Sequence, residues 1–165
     1  MVLGMSLATY TFIHVLISLI GIGAGVLVMY GLLVGKPLNG ITAIFLLFTV
    51  LTSVTAFGFP FEHLLPSHIL AIISLVALAL AIPARYMFHM AGAWRAIYVI
   101  TTSLAFYLNV FVLVVQSFMK VPALHVLAPT QKEPPFAVAQ LTVLVIFTIL
   151  TILATMRFHP ERAHA

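Results

Sequence analysis

The chain contains no cysteine and no aspartate, and only three of its 165 residues are glutamates. Without cysteine there are no disulfides, no thiolate metal sites and no thiol nucleophile. Without aspartate, the paired-aspartate chemistry of intramembrane proteolysis is excluded. Charge of either sign is scarce, at 6% of residues against ~25% in soluble domains, whereas hydrophobic residues reach 64% against ~45–50%. A water-soluble fold needs more polar surface than this to cover its core. The formal net charge of +4 rests on seven cations near the ends of apolar stretches. It carries topological information, and nucleic acid is not an expected partner.

What the chain has in abundance is uninterrupted apolar sequence. Five stretches, at 7–34, 41–59, 69–84, 96–118 and 136–156, contain no Asp, Glu, Lys or Arg. A hydrocarbon core of ~30 Å needs about 20 apolar residues in a helix. The third stretch reaches that length when counted as 67–86. Strand-like alternation is absent, so a closed barrel is ruled out and helices must satisfy the backbone. The expected fold is all-α, a single polytopic domain of about five transmembrane helices in contact with the lipid bilayer. The first stretch is read as a retained span, because it lacks a basic n-region and far exceeds a 7–15-residue signal core.

Five crossings put the termini on opposite faces. The N-terminal face then carries Lys120 and Lys132, and the other carries Lys36, Arg85, Arg95, Arg157 and Arg162. The positive-inside rule places the N-terminus outside and the C-terminus in the cytoplasm. Pro60 should end the second helix, and Pro66 with Ser67 as N-cap should start the third. Pro83 is expected to end or kink the third helix. Residues 120–135, with four prolines, read as the longest non-helical piece and as a possible lid over a cavity beneath His14. Arg85 and Arg95 are expected to anchor to lipid phosphates, and the tail with His159 and His164 is expected to be loosely ordered.

Polar residues inside the spans carry the functional signal. Gly21 and Gly25 allow close helix contact, as do the hydroxyls Thr49, Thr52, Ser53 and Thr55, which can bond back to the preceding turn. Thr102, Asn109 and Gln116 recur at seven-residue intervals and so share one face of the fourth helix. That stripe must face the bundle interior or a partner, as interhelical glue or as the lining of a quinone or ligand site. His14 lies two turns into the first span, His68 begins the third, and Glu62 and His63 precede it. Ionisable groups at such depths are functional candidates by default. His14, Glu62, His63 and His68 form a candidate metal set, with His125 further along the same face, although no His-x-x-x-His spacing occurs. His14, His68, Asn109 and Gln116 form a candidate cofactor set for haem b or a quinone. No helix carries two histidines about thirteen residues apart, which argues against a two-haem wire.

Four strings look familiar together: 51–61 (Leu-Thr-Ser-Val-Thr-Ala-Phe-Gly-Phe-Pro-Phe), 92–98 (Gly-Ala-Trp-Arg-Ala-Ile-Tyr), 107–116 (Tyr-Leu-Asn-Val-Phe-Val-Leu-Val-Val-Gln) and 128–136 (Ala-Pro-Thr-Gln-Lys-Glu-Pro-Pro-Phe). The chain resembles a family of small bacterial multi-span inner-membrane proteins. The resemblance implies a bacterial inner-membrane location and carries over no activity. From the residues, the leading expectation is an accessory or anchor subunit of a membrane complex, such as a redox complex, that binds haem, quinone or lipid. A small transporter or channel acting as a homo-oligomer is the first alternative, weakened by the lack of midplane charge. A metal-dependent membrane enzyme is the second.

Overall fold

The computed structural model describes residues 1–160, so Glu161, Arg162 and His164 of the expected tail lie outside the described residues. Its helices are α1 (Leu7–Val34), α2 (Asn39–Thr55), α3 (Pro66–Tyr86), α4 (Ala93–Lys120), α5 (Pro122–Leu127) and α6 (Pro134–Arg157), with a 3-10 turn at Ala56–Gly58. No β-strand occurs among the described residues. Five helical segments are long and apolar enough to cross a membrane, α2 counting together with its 3-10 turn as Asn39–Gly58. The protein is a multi-pass membrane protein built as an all-α, five-span bundle.

Local chemistry sets the helix ends. Ser6 caps α1 by accepting the Thr9 N–H at 3.2 Å. The same helix stops at Gly35, which adopts the left-handed region (φ 74°) and returns its N–H to the Gly31 carbonyl. Pro60 follows the 3-10 turn and cannot continue the ladder. At α3 the structure departs from expectation. Pro66 takes the first helical position, where its missing N–H costs little, and the cap position falls on Leu65 rather than Ser67. Leucine has no capping oxygen, and the ring of His68 turns back so that its Nδ1 accepts the Leu65 N–H at 3.0 Å. Pro83 does not end α3, which runs on to Tyr86 because Met87 and Phe88 both return their N–H groups to the Pro83 carbonyl. The proline-rich connection is not wholly irregular either. Pro122 starts the short α5, whose first turn closes on the Val121 carbonyl.

Helices α1 and α2 form one closely packed pair and α3 and α4 another, while α6 lies against α4 and α1. Only Gln140, Phe147 and Ala154 of α6 are buried, a single seven-residue stripe flanked by half-buried residues such as Val143 and Leu150, and much of the remaining helix faces outward. At the bundle's middle, Phe106 meets Phe45 and Phe147 edge-on at 6.1 and 5.0 Å. Gly25 lets the Phe106 ring lie on the backbone of α1, since a Cβ there would stand 2.6 Å from Cδ2. The Gly21/Gly25 spacing thus serves packing within this chain. Thr52, Ser53 and Thr55 bond back to Phe48, Thr49 and Leu51 as their sequence positions suggest.

The end of the bundle that carries the C-terminus is held by two arginines. Arg85 is 6% exposed. It donates to Tyr98 Oη at 2.9 Å, to the Pro37 carbonyl at 3.1 Å and to Asn39 Oδ1 at 2.5 Å, joining α3, α4 and the α1–α2 turn. Arg95 donates to the carbonyls of Thr155 and Phe158 at 2.7 and 2.9 Å, fastening α4 to the end of α6. Both were expected to reach lipid phosphates. They turn inward because unpaired backbone carbonyls at the helix ends supply the acceptors that a guanidinium fork needs.

Candidate functional site: a cavity at the N-terminal face

The opposite end is hollow. A cavity of about 650 Å³ lies between α1, α2, α3 and α4, within the half of the bundle nearest the N-terminus. Its lining is largely apolar, with Ile22, Leu70, Ala71, Leu108 and Val112 among its walls. Val15 and Leu19 on α1 and Leu113 on α4 belong to it and are also exposed, so its wall is partly open within the spans. Lys120 and Ser67 stand at the end nearest the N-terminal face, and both are exposed.

All four residues of the candidate cofactor set line this one cavity: His14, His68, Asn109 and Gln116. The candidate metal set is not gathered in the same way. Glu62 and His63 are exposed in the irregular segment between Pro60 and Pro66, while His68 is buried by its cap and His14 belongs to α1. Among the described residues, no three His or Glu side chains come together as a metal-holding group. His125 sits in α5, near the Phe118 carbonyl at 3.3 Å, and neither it nor the rest of α5 lines the cavity. The expected lid is therefore limited to Lys120 and Val121. Gln131 instead ties the connection down by donating to the Val115 carbonyl at 3.0 Å.

The short segment between α2 and α3 positions both histidines through an aromatic alternation (Phe57, Phe59, Phe61) that the sequence does not set apart from its other apolar residues. Phe59 packs edge-on against His14 at 5.1 Å and against Tyr10 at 5.0 Å. Phe57 stacks on His68 at 5.3 Å and Phe61 tilts over it at 4.2 Å. Tyr10 donates to the Thr55 carbonyl at 2.7 Å, filling the backbone position freed where α2 ends. Gly58 lies directly under the Tyr10 ring, and a side chain there would collide with its Cζ and Oη.

Hydrogen bonds fix the polarity of the two imidazoles. Because His68 Nδ1 accepts a backbone N–H, the ring proton of the neutral form resides on Nε2. The ring is 1% exposed, and no protein group bonds its Nε2 among the described residues. With Nδ1 turned to Leu65 and two phenylalanine rings packed on the imidazole, the Nε2 edge is left for the cavity that His68 lines. His14 is arranged differently. Its Nδ1 lies 2.7 Å from Thr55 Oγ1, whose own proton goes to the Leu51 carbonyl at 2.7 Å. His14 then donates from Nδ1 and keeps a lone pair on Nε2. Rotating the Thr55 hydroxyl toward His14 reverses that pair, since the Leu51 carbonyl retains its helical N–H.

The amide stripe of α4 supplies the remaining polar groups. Asn109 is buried and donates weakly to Thr49 Oγ1 at 3.4 Å. Gln116, half-buried one heptad further on, lines the same wall. Thr102 belongs to the closed half, buried beside Gly25 and Phe106 with an unpartnered hydroxyl. No family model, curated protein or solved structure matches the chain.

The donor set discriminates between the candidate cofactors. Ligation of one haem iron by both histidines needs a lone pair on each outer nitrogen, which at His68 would move the proton to Nδ1 against the Leu65 N–H. His14 and His68 together therefore do not fit as an axial pair, although His14 alone keeps a free nitrogen. An apolar chamber with a few convergent donors and acceptors suits a hydrocarbon-soluble molecule bearing a small polar head.

Proposed function

We propose that this membrane protein is a binding subunit. It holds one lipid-soluble molecule, of quinone or lipid type, in the half of the bilayer at its N-terminal face, and serves as an accessory or anchor subunit of a membrane complex. The cavity of about 650 Å³ lined by His14, His68, Asn109 and Gln116 carries this reading. Its volume falls in the ~300–1,000 Å³ range of small-molecule sites. The spans hold no carboxylate, and the loops between them are too short to carry a catalytic domain, which favours holding over turnover. The distribution of Lys and Arg supports an outward N-terminus in a bacterial inner membrane, and with it a cavity opening on the outer leaflet.

The test is organic extraction and mass spectrometry of the protein purified in mild detergent. A defined lipid-soluble molecule should accompany the wild type in near-stoichiometric amount and be lost from Val112→Trp, which fills the cavity from α4. Wild-type protein that carries no such molecule, takes none up on addition and migrates without a partner would refute the proposal.

A second reading draws on one observation. The cavity lies at one end while Arg85 and Arg95 seal the other, an arrangement a small oligomeric transporter would show in one of its states. Crosslinking that locks Arg85's contacts should then abolish flux of the bound molecule across vesicles, and leave binding unchanged.

A further inference from the structure

We infer that the head of the bound molecule carries a carbonyl oxygen that accepts a hydrogen bond from His68 Nε2–H, an inference that rests on the binding reading above. Three features point to it. His68 is 1% exposed, lines the cavity and has no protein partner for its outer nitrogen among the described residues. A molecule that fills the cavity beside His68 strips the ring donor of its hydration unless it supplies an acceptor, so a bound acceptor stabilises the complex there. The polarity is also locked. A backbone N–H cannot become an acceptor, so the Leu65 N–H holds the proton on the cavity side of the ring.

His14 provides the contrast. Its partner is a hydroxyl, which donates or accepts by rotating, so His14 can meet either a carbonyl or a hydroxyl. A site with one fixed donor and one adaptable group accepts a molecule with at least one obligatory acceptor. It also tolerates either C=O or O–H at a second position. An ammonium head is poorly served, because among the described residues the charged side chain lining the cavity is the exposed Lys120 cation at its end. Carbonyl oxygen on a hydrocarbon-soluble body has two sources in a membrane, the ring of a quinone and the ester of an acyl lipid.

The experiment separates these sources from each other and from simple greasiness. Wild-type protein is held in an alkyl maltoside, which has no carbonyl group, and titrated with two matched pairs. One is 2-methyl-1,4-naphthoquinone against 2-methylnaphthalene, and the other is methyl oleate against 1-octadecene. The carbonyl member of one pair should bind about tenfold tighter than its hydrocarbon partner, the worth of one net hydrogen bond to a buried donor. Preference within the first pair identifies the quinone source and within the second the ester source. His68→Phe should erase the preference and leave hydrocarbon binding in place.

His68→Phe also removes the cap on α3, so a measurement on the unaltered protein stands beside it. In ¹⁵N-histidine NMR spectra, His68 should carry its proton on Nε2, and that nitrogen should shift when the preferred probe is added. Hydrocarbon and carbonyl probes bound equally in both pairs, a proton found on Nδ1, or an unmoved Nε2 signal would overturn the inference and leave the binding reading standing. Failure of all four probes to bind would bring down both.

Discussion

The two ends of this bundle are built from the same apolar helices and treat polar groups in opposite ways. At the C-terminal end, Arg85 and Arg95 spend their donors on Tyr98, Asn39 and the carbonyls of Pro37, Thr155 and Phe158. At the N-terminal end, His68 Nε2 finds no protein partner among the described residues, Asn109 bonds only weakly, and both line a cavity. A cation buried among helices has to be satisfied from within the fold. Neutral imidazole and amide groups beside a cavity do not, because a bound molecule can complete them. The difference teaches which end is structural and which is left to bind.

That contrast can be broken most directly at Arg85. Arg85→Met keeps an unbranched apolar stem, removes the donors to Tyr98 and Asn39 and leaves the Pro37 carbonyl only its bond from Thr42, and should cost about 2–4 kcal/mol in detergent unfolding. Lys120→Met, at the rim of the cavity, should stay within about 0.5 kcal/mol of wild type. Equal losses at the two positions would erase the distinction between a clamped and an open end.

Glycine offers a smaller version of the same test. Gly25→Ala forces a methyl group against the Phe106 ring and should destabilise by roughly 1–3 kcal/mol through overpacking. Gly23→Ala meets nothing within 4 Å and should be neutral, or gain up to about 1 kcal/mol from helix propensity. Thermal unfolding monitored by circular dichroism distinguishes the two.

The weakest effect belongs to the connection beyond the cavity. Glu133 precedes α6 and accepts from the Thr130 hydroxyl at 2.8 Å and from the N–H groups of Thr130 and Lys132. Slight loss of hydration raises its pKa, and the hydrogen bonds, that from the Thr130 hydroxyl foremost, outweigh it and leave the carboxyl below the ordinary 4.5. A depressed folded-state pKa stabilises the loop above the unfolded value, and the contribution disappears as pH falls through the folded one. The protection of the Thr130 and Lys132 amides, measured as exchange relative to the intrinsic rate at each pH, should therefore fall as the carboxyl protonates in acid, and Glu133→Gln should remove that pH-dependent loss of protection.

The spans and the interior face of α4 were legible in the sequence, because lipid forbids charge and penalises amides wherever they do not face protein. Asn109 and Gln116 announce themselves by their spacing, and His14 and His68 by their depth. The aromatic segment at 57, 59 and 61 was not readable, since phenylalanines in an apolar chain look like any other lipid-facing residues until their partners are known. Ser67 looked like the cap of α3 because its side chain has the capping oxygen. The proline at position 66 moved the helix start back by two residues, and only the folded geometry reveals that His68 assumes the capping role. Arg85 and Arg95 misled for a related reason, because a helix-end arginine reads as a lipid anchor unless the carbonyls turned toward it are visible.

The absence of native cysteine makes the central distinction directly measurable. Ser74 lines the cavity at 3% exposure, and Thr102 sits in the closed half at 1%. Single variants Ser74→Cys and Thr102→Cys would be treated with N-ethylmaleimide at alkaline pH in mild detergent, with sodium dodecyl sulfate-unfolded protein as the reference for full reaction. The account predicts that Ser74→Cys reacts and is protected by the molecule that fills the cavity, while Thr102→Cys stays unreacted until the protein unfolds. Equal protection of both thiols, or reaction at position 102 first, would contradict it.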